Sequence, residues 1–185
     1  MRELTTIFSF IFFVIAAFAQ NAEDLPKSNW ALGKEKVFYG NSIARLEGKN
    51  KGEVTNIAFK TFEQLNEDVQ GKAEEKGWTE DQTQMQLLGW EVMASGGVVQ
   101  LFISRKNADA SDLQNFTVVI KNLDEEEIFS KKLDAQAAQG TDAVGHWWNT
   151  ALVVFPEATE SDFYVYILEE TKKGTQSFKF EVKLP

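Results

Sequence analysis

The sequence predicts a mainly β fold: an immunoglobulin-like antiparallel β-sandwich with a helix-containing N-terminal segment. From about Gly89 onward, apolar residues recur with a period of two, which is typical of strands that bury one face. About seven short apolar stretches follow one another there, separated by turn residues, as in a two-sheet sandwich. The chain has no cysteine, so the Cys and Trp signature of antibody domains is absent, and a jelly roll is the alternative architecture.

Residues 1–19 have the pattern of a secretory signal peptide. Arg2 precedes an apolar run that ends in Ala17-Phe18-Ala19, a small-residue cleavage motif. The run is shorter than the roughly 20 apolar residues that span a bilayer. We therefore expect cleavage after Ala19, no membrane insertion afterwards, and an exported protein, periplasmic or secreted. An uncleaved anchor is the alternative, because Glu3 offsets the charge of Arg2.

Residues 20–88 are predicted to form an N-terminal lead-in with an amphipathic helix. We expect one short strand before Gly40 and a second over Ser42–Glu47. The apolar residues of Glu53–Lys76 recur at helical spacing, and Gly77 is a suitable residue to end that helix. Thr79 and Gln82 have the spacing of a capping box and predict a short second helix that ends near Leu88.

Residues 89–185 are predicted to form the β-sandwich domain. Ser95-Gly96-Gly97 and Asn122–Glu127 have the composition of hairpin loops. The alternation is clearest in the last strand, which places phenylalanine, valine and leucine on one face and charged residues on the other. The predicted strands are Trp90–Ala94, Val98–Arg105, Phe116–Lys121, Ile128–Leu133, Trp147–Phe155, Phe163–Leu168 and Phe178–Leu184.

Composition argues against several kinds of chemistry. A formal charge of -9 disfavours nucleic acid as a partner. His146 is the single histidine, and with no cysteine the usual nucleophilic triads and zinc sites lack their residues. No phosphate-binding or dinucleotide-binding motif is present. We therefore expect no cofactor and no enzymatic activity.

Two acidic groups could supply oxygen ligands for calcium: Asp124–Glu127 with Asn122, and Asp109 with Asp112. Neither has the alternating spacing of a calcium loop, and consecutive acids in a hairpin turn are typical of a solvated tip. We expect no metal site. A glycosidase would need two carboxylates at a defined separation, and only Glu91, between Trp90 and Val92, has an apolar setting along the chain.

Aromatic residues are the best candidates for ligand binding. Trp147 and Trp148 are adjacent in a predicted strand, so their side chains point to opposite faces of the sheet. Tyr164 and Tyr166 share one face and lie opposite the neighbouring aliphatic residues. Such side chains can form a stacking platform for a sugar or a peptide. The candidate ligand-binding residues are His146, Trp147, Trp148, Asn149, Tyr164 and Tyr166.

These observations favour an exported, soluble, non-enzymatic binding or protein-interaction module whose ligand is a protein, a peptide or a glycan. The alternative is a glycan-directed protein, either a carbohydrate-binding module or a carboxylate-dependent glycosidase. A third possibility is a structural envelope component or an inhibitor. An exposed aromatic row would favour binding, whereas a cleft with two carboxylates would favour the enzyme.

Overall fold

A computed structural model describes residues 43–48, 52–157, 159 and 161–184. Within them the chain forms nine strands, two helices and two short 3₁₀ turns, at Asp109–Ser111 and Leu113–Asn115. The helices are α1 (Phe62–Lys76) and α2 (Glu80–Met93). The strands are β1 (Ile43–Glu47), β2 (Val54–Lys60), β3 (Gly97–Arg105), β4 (Phe116–Lys121), β5 (Glu127–Lys132), β6 (Gly140–Thr141), β7 (Trp147–Phe155), β8 (Phe163–Thr171) and β9 (Gly174–Val182).

The strands form two antiparallel sheets packed face to face. One sheet has five strands in the order β1-β9-β8-β4-β5, and the other has four in the order β2-β3-β7-β6. The alternating inward residues of both sheets meet in one apolar core, where the rings of Phe59 and Phe163 contact edge to face at 5.1 Å. The predicted mainly β sandwich is therefore confirmed.

The two helices form a third layer on the outer face of the four-stranded sheet. A second apolar cluster joins Leu65 and Val69 of α1 and Trp90 of α2 to Val98 of β3. Lys60, the last residue of β2, forms an ion pair with Asp68 of α1. The helices thus cover the part of the sheet face that lies next to Val98.

The periodicity of Glu53–Lys76 predicted one helix, but the structure has a strand followed by a helix there. The segment begins as strand β2, and the helix starts only after Thr61. Six consecutive β2 residues are buried because one face of the strand lies in the sandwich core and the other lies under the helical layer. A strand buried on both faces has no alternation, so its apolar residues matched a helical period by coincidence.

The predicted strand Trp90–Ala94 was also wrong, because these residues end helix α2 and its cap. The capping box at Thr79 is present, but the helix continues to Met93 instead of ending near Leu88. Ser95-Gly96-Gly97 therefore links a helix to β3 and is not a hairpin loop. The sheets also take two strands, β1 and β2, from before Gly89, so the sandwich extends into the predicted lead-in.

Other predicted elements agree with the structure. The β4–β5 hairpin pairs as expected, Trp147–Phe155 has the predicted bounds, and Gly77 ends α1 in the left-handed conformation with φ 63°. The predicted signal peptide and the first short strand lie outside the described residues. No helix in the described part of the chain is long and apolar enough to cross a membrane.

Candidate functional site

The β6–β7 hairpin positions the two candidate tryptophans. Gly140 pairs with Trp148 and Thr141 with Trp147. The turn between the strands is held by Asp142, whose Oδ1 accepts the backbone N–H groups of Val144 and His146 at 3.0 and 2.9 Å. Its Oδ2 accepts the hydroxyl of Ser104 at 2.7 Å. Burial raises the pKa of Asp142, but the hydrogen bonds from Ser104 and from the two backbone amides outweigh it and hold this pKa below its ordinary value.

Trp148 lies on the outer face of the four-stranded sheet, on a part of β7 that is not in the apolar cluster with the helices. Its indole stacks on Phe102 of β3, with ring centroids 6.3 Å apart and planes at 19°. It also lies over Gly140, where an added Cβ would be 3.1 Å from the indole Nε1, so a side chain at this position would displace the indole. The indole is half-buried, and no group among the described residues accepts its N–H. We call Phe102, Trp148 and Thr150 the Trp148 face.

Trp147 points to the other side of the sheet, as strand alternation requires. It lies at the end of the sandwich, with 39% of its surface exposed, and its carbonyl accepts the hydroxyl of Ser111 at 2.8 Å. His146 is half-buried in the turn before it. The two indoles therefore belong to different surfaces, with Trp147 at the sandwich end and Trp148 on the sheet face.

Asn149 is fully buried and is a structural residue in this arrangement. Its Nδ2 donates to the carbonyl oxygens of Ser111, Gln136 and Ala137 at 2.8 to 3.1 Å. Its Oδ1 accepts from the side chain of Gln136 and from the backbone N–H of Thr150. Asn149 thus ties β7 to the segment that crosses between the sheets, and it has no exposed surface to offer a ligand.

Tyr164 and Tyr166 lie on the outer face of the other sheet, remote from the tryptophans. The ammonium of Lys179 is 3.8 Å from the centroid of the Tyr164 ring, and the hydroxyl of Tyr166 donates to Glu125 at 2.6 Å. The same Glu125 accepts from Lys179. These contacts occupy the rings and the hydroxyl that a ligand would use, so the structure does not join the tyrosines to the Trp148 face.

The Glu125 cluster is an electrostatic contact between the β4–β5 turn and the sheet. The hydrogen bond from Lys179, with that from Tyr166, lowers the pKa of Glu125, while its carboxylate raises the pKa of Lys179. Burial and the hydrogen bond to Glu125 raise the pKa of Tyr166. Glu126 of the same turn is bonded to Asn122 at 2.9 Å, and no group of three metal-ligating side chains comes together within the described residues.

Sequence reasoning missed a buried ion pair between the sheets. Arg105 of β3 and Glu169 of β8 form a two-point contact at 2.8 and 2.9 Å, and they are 1% and 5% exposed. The guanidinium also donates to the carbonyls of Val54 and Ser104 and to the hydroxyl of Thr55, at 2.8 Å for the last. Its donors are bound within the protein, so its role is structural. Because Arg105 is the last residue of β3, the sequence pattern did not indicate that its side chain is buried.

Two buried amides beside Phe102 were also missed. Asn56 of β2 pairs directly with Phe102 of β3, and Gln100 lies two residues before Phe102 on the same strand. Both are at least 91% buried, since they are 8% and 9% exposed. Asn56 Nδ2 and Gln100 Oε1 have no hydrogen-bond partner among the described residues. These residues are uncharged, whereas Asp142 brings a carboxylate to Ser104, which pairs with Trp148 at the adjoining part of this face.

Comparison of the chain with protein-family models, with curated proteins and with solved structures gave no match.

Proposed function

We propose that this chain is an exported, non-enzymatic binding or protein-interaction module that uses the Trp148 face. The observation that carries the proposal is the half-exposed Phe102–Trp148 stack, whose indole N–H has no acceptor among the described residues. Tryptophan N–H groups usually find a partner when they leave water, and stacked aromatic rings supply much of the energy in binding surfaces. A ligand that packs on the ring and accepts from the N–H would meet both needs.

A glycan is the second candidate ligand. A flat aromatic surface with uncharged polar neighbours suits a sugar ring, whose hydroxyls both donate and accept hydrogen bonds. Thr150 is an uncharged neighbour of the rings, although it is itself only 7% exposed and its hydroxyl accepts from the side chain of Gln139 at 3.2 Å. We also retain the immunoglobulin-like class as a proposal for the sandwich, with the jelly roll as its alternative. Its support is the succession of hairpins within a sheet and crossings between sheets.

Fluorine NMR tests the use of the Trp148 face. The protein contains 5 tryptophans, and labelling with fluorotryptophan gives each its own signal, with Trp148 assigned through Trp148→Phe. The probes are immobilised neutral polysaccharides and random peptides displayed on phage, followed by titration with the binders found. We expect the Trp148 signal to shift and that of Trp90, buried in the helical cluster, to stay. Binding that leaves the Trp148 signal unchanged would refute this use of the face.

Export is tested separately, by N-terminal sequencing of the protein recovered outside the cytoplasm. We expect the mature chain to begin at Gln20, since Ala17-Phe18-Ala19 precedes it. Retention of Met1 on a membrane-bound product would instead support an uncleaved anchor.

A further inference from the structure

Among the described residues, no strand pairs with the edge of β7 beyond β6. β6 pairs with only the first two residues of β7, while β3 pairs with β7 along its whole length. Gln139 N–H donates to the carbonyl of Trp148, so the backbone groups of Trp148 face β6. In an antiparallel ladder every second residue faces the same side. The backbone groups of Thr150, Leu152 and Val154 therefore also face away from β3.

Beyond β6, these groups have no partner strand within the described residues. Asn149 Oδ1 accepts the N–H of Thr150, which leaves the C=O of Thr150 and the N–H and C=O groups of Leu152 and Val154. In the chain that precedes β6, the carbonyls of Gln136 and Ala137 accept from Asn149 Nδ2, and no backbone hydrogen bond joins described residues 133–139 to Leu152 or Val154. An unpaired edge of this kind is a template for another extended chain.

The composition of β7 does not protect this edge. Natural edge strands are usually blocked by a charged residue, a proline or a bulge. The sequence WWNTALVVF contains no charge and no proline, and its pairing with β3 is regular. Inward-facing Val153 and Phe155 are fully buried, and outward-facing Leu152 and Val154 pack under the helices. The strand is thus packed on both faces, while its edge beyond β6 has no partner strand within the described residues.

We propose that the β7 edge, from Thr150 to Val154, binds an extended peptide segment of a partner protein as an added strand. Only another backbone presents alternating N–H and C=O groups at the spacing of a strand. The ligand would continue the line of β6 and pass beside the Trp148 face, which receives its outward side chains. The β7 edge is uncharged whereas the whole chain carries -9, so an apolar segment with basic flanks is the complementary partner.

This inference rests on the proposed function and specifies its ligand. The first test is amide hydrogen exchange in the free, monomeric protein. We expect fast exchange at Leu152 and Val154, whose N–H groups face the open edge, and protection at Ala151 and Val153, whose N–H groups face β3. Protection at all four positions in the monomer would mean that another part of this chain covers the edge, and the proposal would be wrong.

The second test uses random peptides displayed on phage, with selected peptides resynthesised and titrated. Leu152→Pro removes the edge N–H, and Leu152→Ala is its matched control, because it also loses the leucine packing but retains the N–H. We expect Leu152→Pro to weaken peptide binding about tenfold or more, as loss of ladder hydrogen bonds predicts, and Leu152→Ala to retain it. Val154→Pro and Val154→Ala form a second pair if Leu152→Pro does not fold.

The outcomes separate the two proposals. Peptides that depend on Trp148 but bind equally well to the proline variants would overturn the edge proposal and leave the proposed function standing. Selection of neutral polysaccharides alone would do the same. A concentration-dependent dimer that Leu152→Pro dissociates would show that a second copy occupies the edge, which also contradicts a peptide partner. Protection of Leu152 and Val154 only when peptide is added would support the proposal.

Discussion

Arg105 and Glu169 show how one residue pair can hold two sheets together. Both charged groups lose their hydration on burial. The guanidinium replaces the lost water contacts with two bonds to the carboxylate and with bonds to backbone and hydroxyl acceptors. The rings of Phe116 and Phe178 lie 5.3 and 5.9 Å from the guanidinium carbon. A buried pair of this kind adds little net stability, but loss of one partner leaves a charge unpaired in the core.

We therefore predict that Glu169→Gln destabilises the protein by about 3–5 kcal/mol. The double variant Arg105→Met/Glu169→Leu should recover much of this loss, because no unpaired charge remains. Urea unfolding measures both. The matched control is Glu170→Gln in the neighbouring exposed pair with Lys132, whose side chains are 67% and 45% exposed; it should cost less than about 1 kcal/mol. Equal losses at positions 169 and 170 would contradict the structural role of the pair.

Asp142 is predicted to stabilise the β6–β7 turn in a pH-dependent way. Asp142→Asn removes the acceptor of the Ser104 hydroxyl and should cost about 1 kcal/mol near neutral pH. The folded pKa lies below the unfolded value of about 3.9. The contribution is therefore complete above pH ~4 and is lost as the pH falls through the folded pKa.

Thermal unfolding of wild type and Asp142→Asn between neutral and acidic pH measures this effect. The difference in melting temperature should narrow as the pH falls below ~4. Asp124→Asn, in the exposed β4–β5 turn, is the control and should show little difference at any pH. A constant difference for Asp142→Asn would mean that ionisation is not involved.

Replacing a glycine by alanine should have opposite effects on stability inside a helix and at its C-terminal cap. Gly71 and Gly89 lie inside α1 and α2, and an added Cβ meets nothing within 4 Å at either position. Gly77 has a φ of 63°, which L side chains adopt at a cost. We predict that Gly71→Ala and Gly89→Ala stabilise the protein by about 0.5–1 kcal/mol each, whereas Gly77→Ala destabilises it by about 1 kcal/mol. Chemical denaturation distinguishes the signs, and stabilisation by Gly77→Ala would contradict the cap.

Elements were predictable from sequence where only one face is buried. β9 alternates cleanly, so its existence and its inward residues were evident. The strand was predicted to start at Phe178, but it starts at Gly174. β2 was mistaken for helix because the helical layer buries its second face. A signal for the true helix start existed: Thr61 and Gln64 form the same capping box as Thr79 and Gln82. If this capping box had been given more weight than the periodicity, the helix would have been predicted to start after Thr61.

The candidate site was predictable only in part. Alternation placed Trp147 and Trp148 on opposite faces, and the structure does so. It could not place Phe102 beside Trp148, because that contact depends on the register of β3 and β7, which are separated by many residues in sequence. Likewise, the tyrosines match a platform in pattern, but the turn residue Glu125 and Lys179 occupy them. Contacts between distant segments decide which exposed aromatics remain accessible.

At the scale of the whole molecule, the three layers depend on one another. β2 pairs with β3 along its length, supplies Ile57 and Phe59 to the sandwich core, and leads directly into α1. The helices in turn cover Val98, Leu152 and Val154 on the outer sheet face. The sandwich therefore has no natural boundary at Gly89, although hydrophobic periodicity changes there.

A fragment of residues 89–185 should accordingly fail to fold. It lacks β1 and β2, exposes the edge of β3, and loses the Phe59 ring from the core, a change worth about 3–5 kcal/mol by itself against a typical total stability of about 5–15 kcal/mol. Circular dichroism melting should show no cooperative transition, and the exposed edge should promote aggregation. The control lacks only residues 1–19, keeps every described strand, and should unfold cooperatively. Cooperative unfolding of the 89–185 fragment would instead establish an independent sandwich that needs neither β2 nor the helical layer.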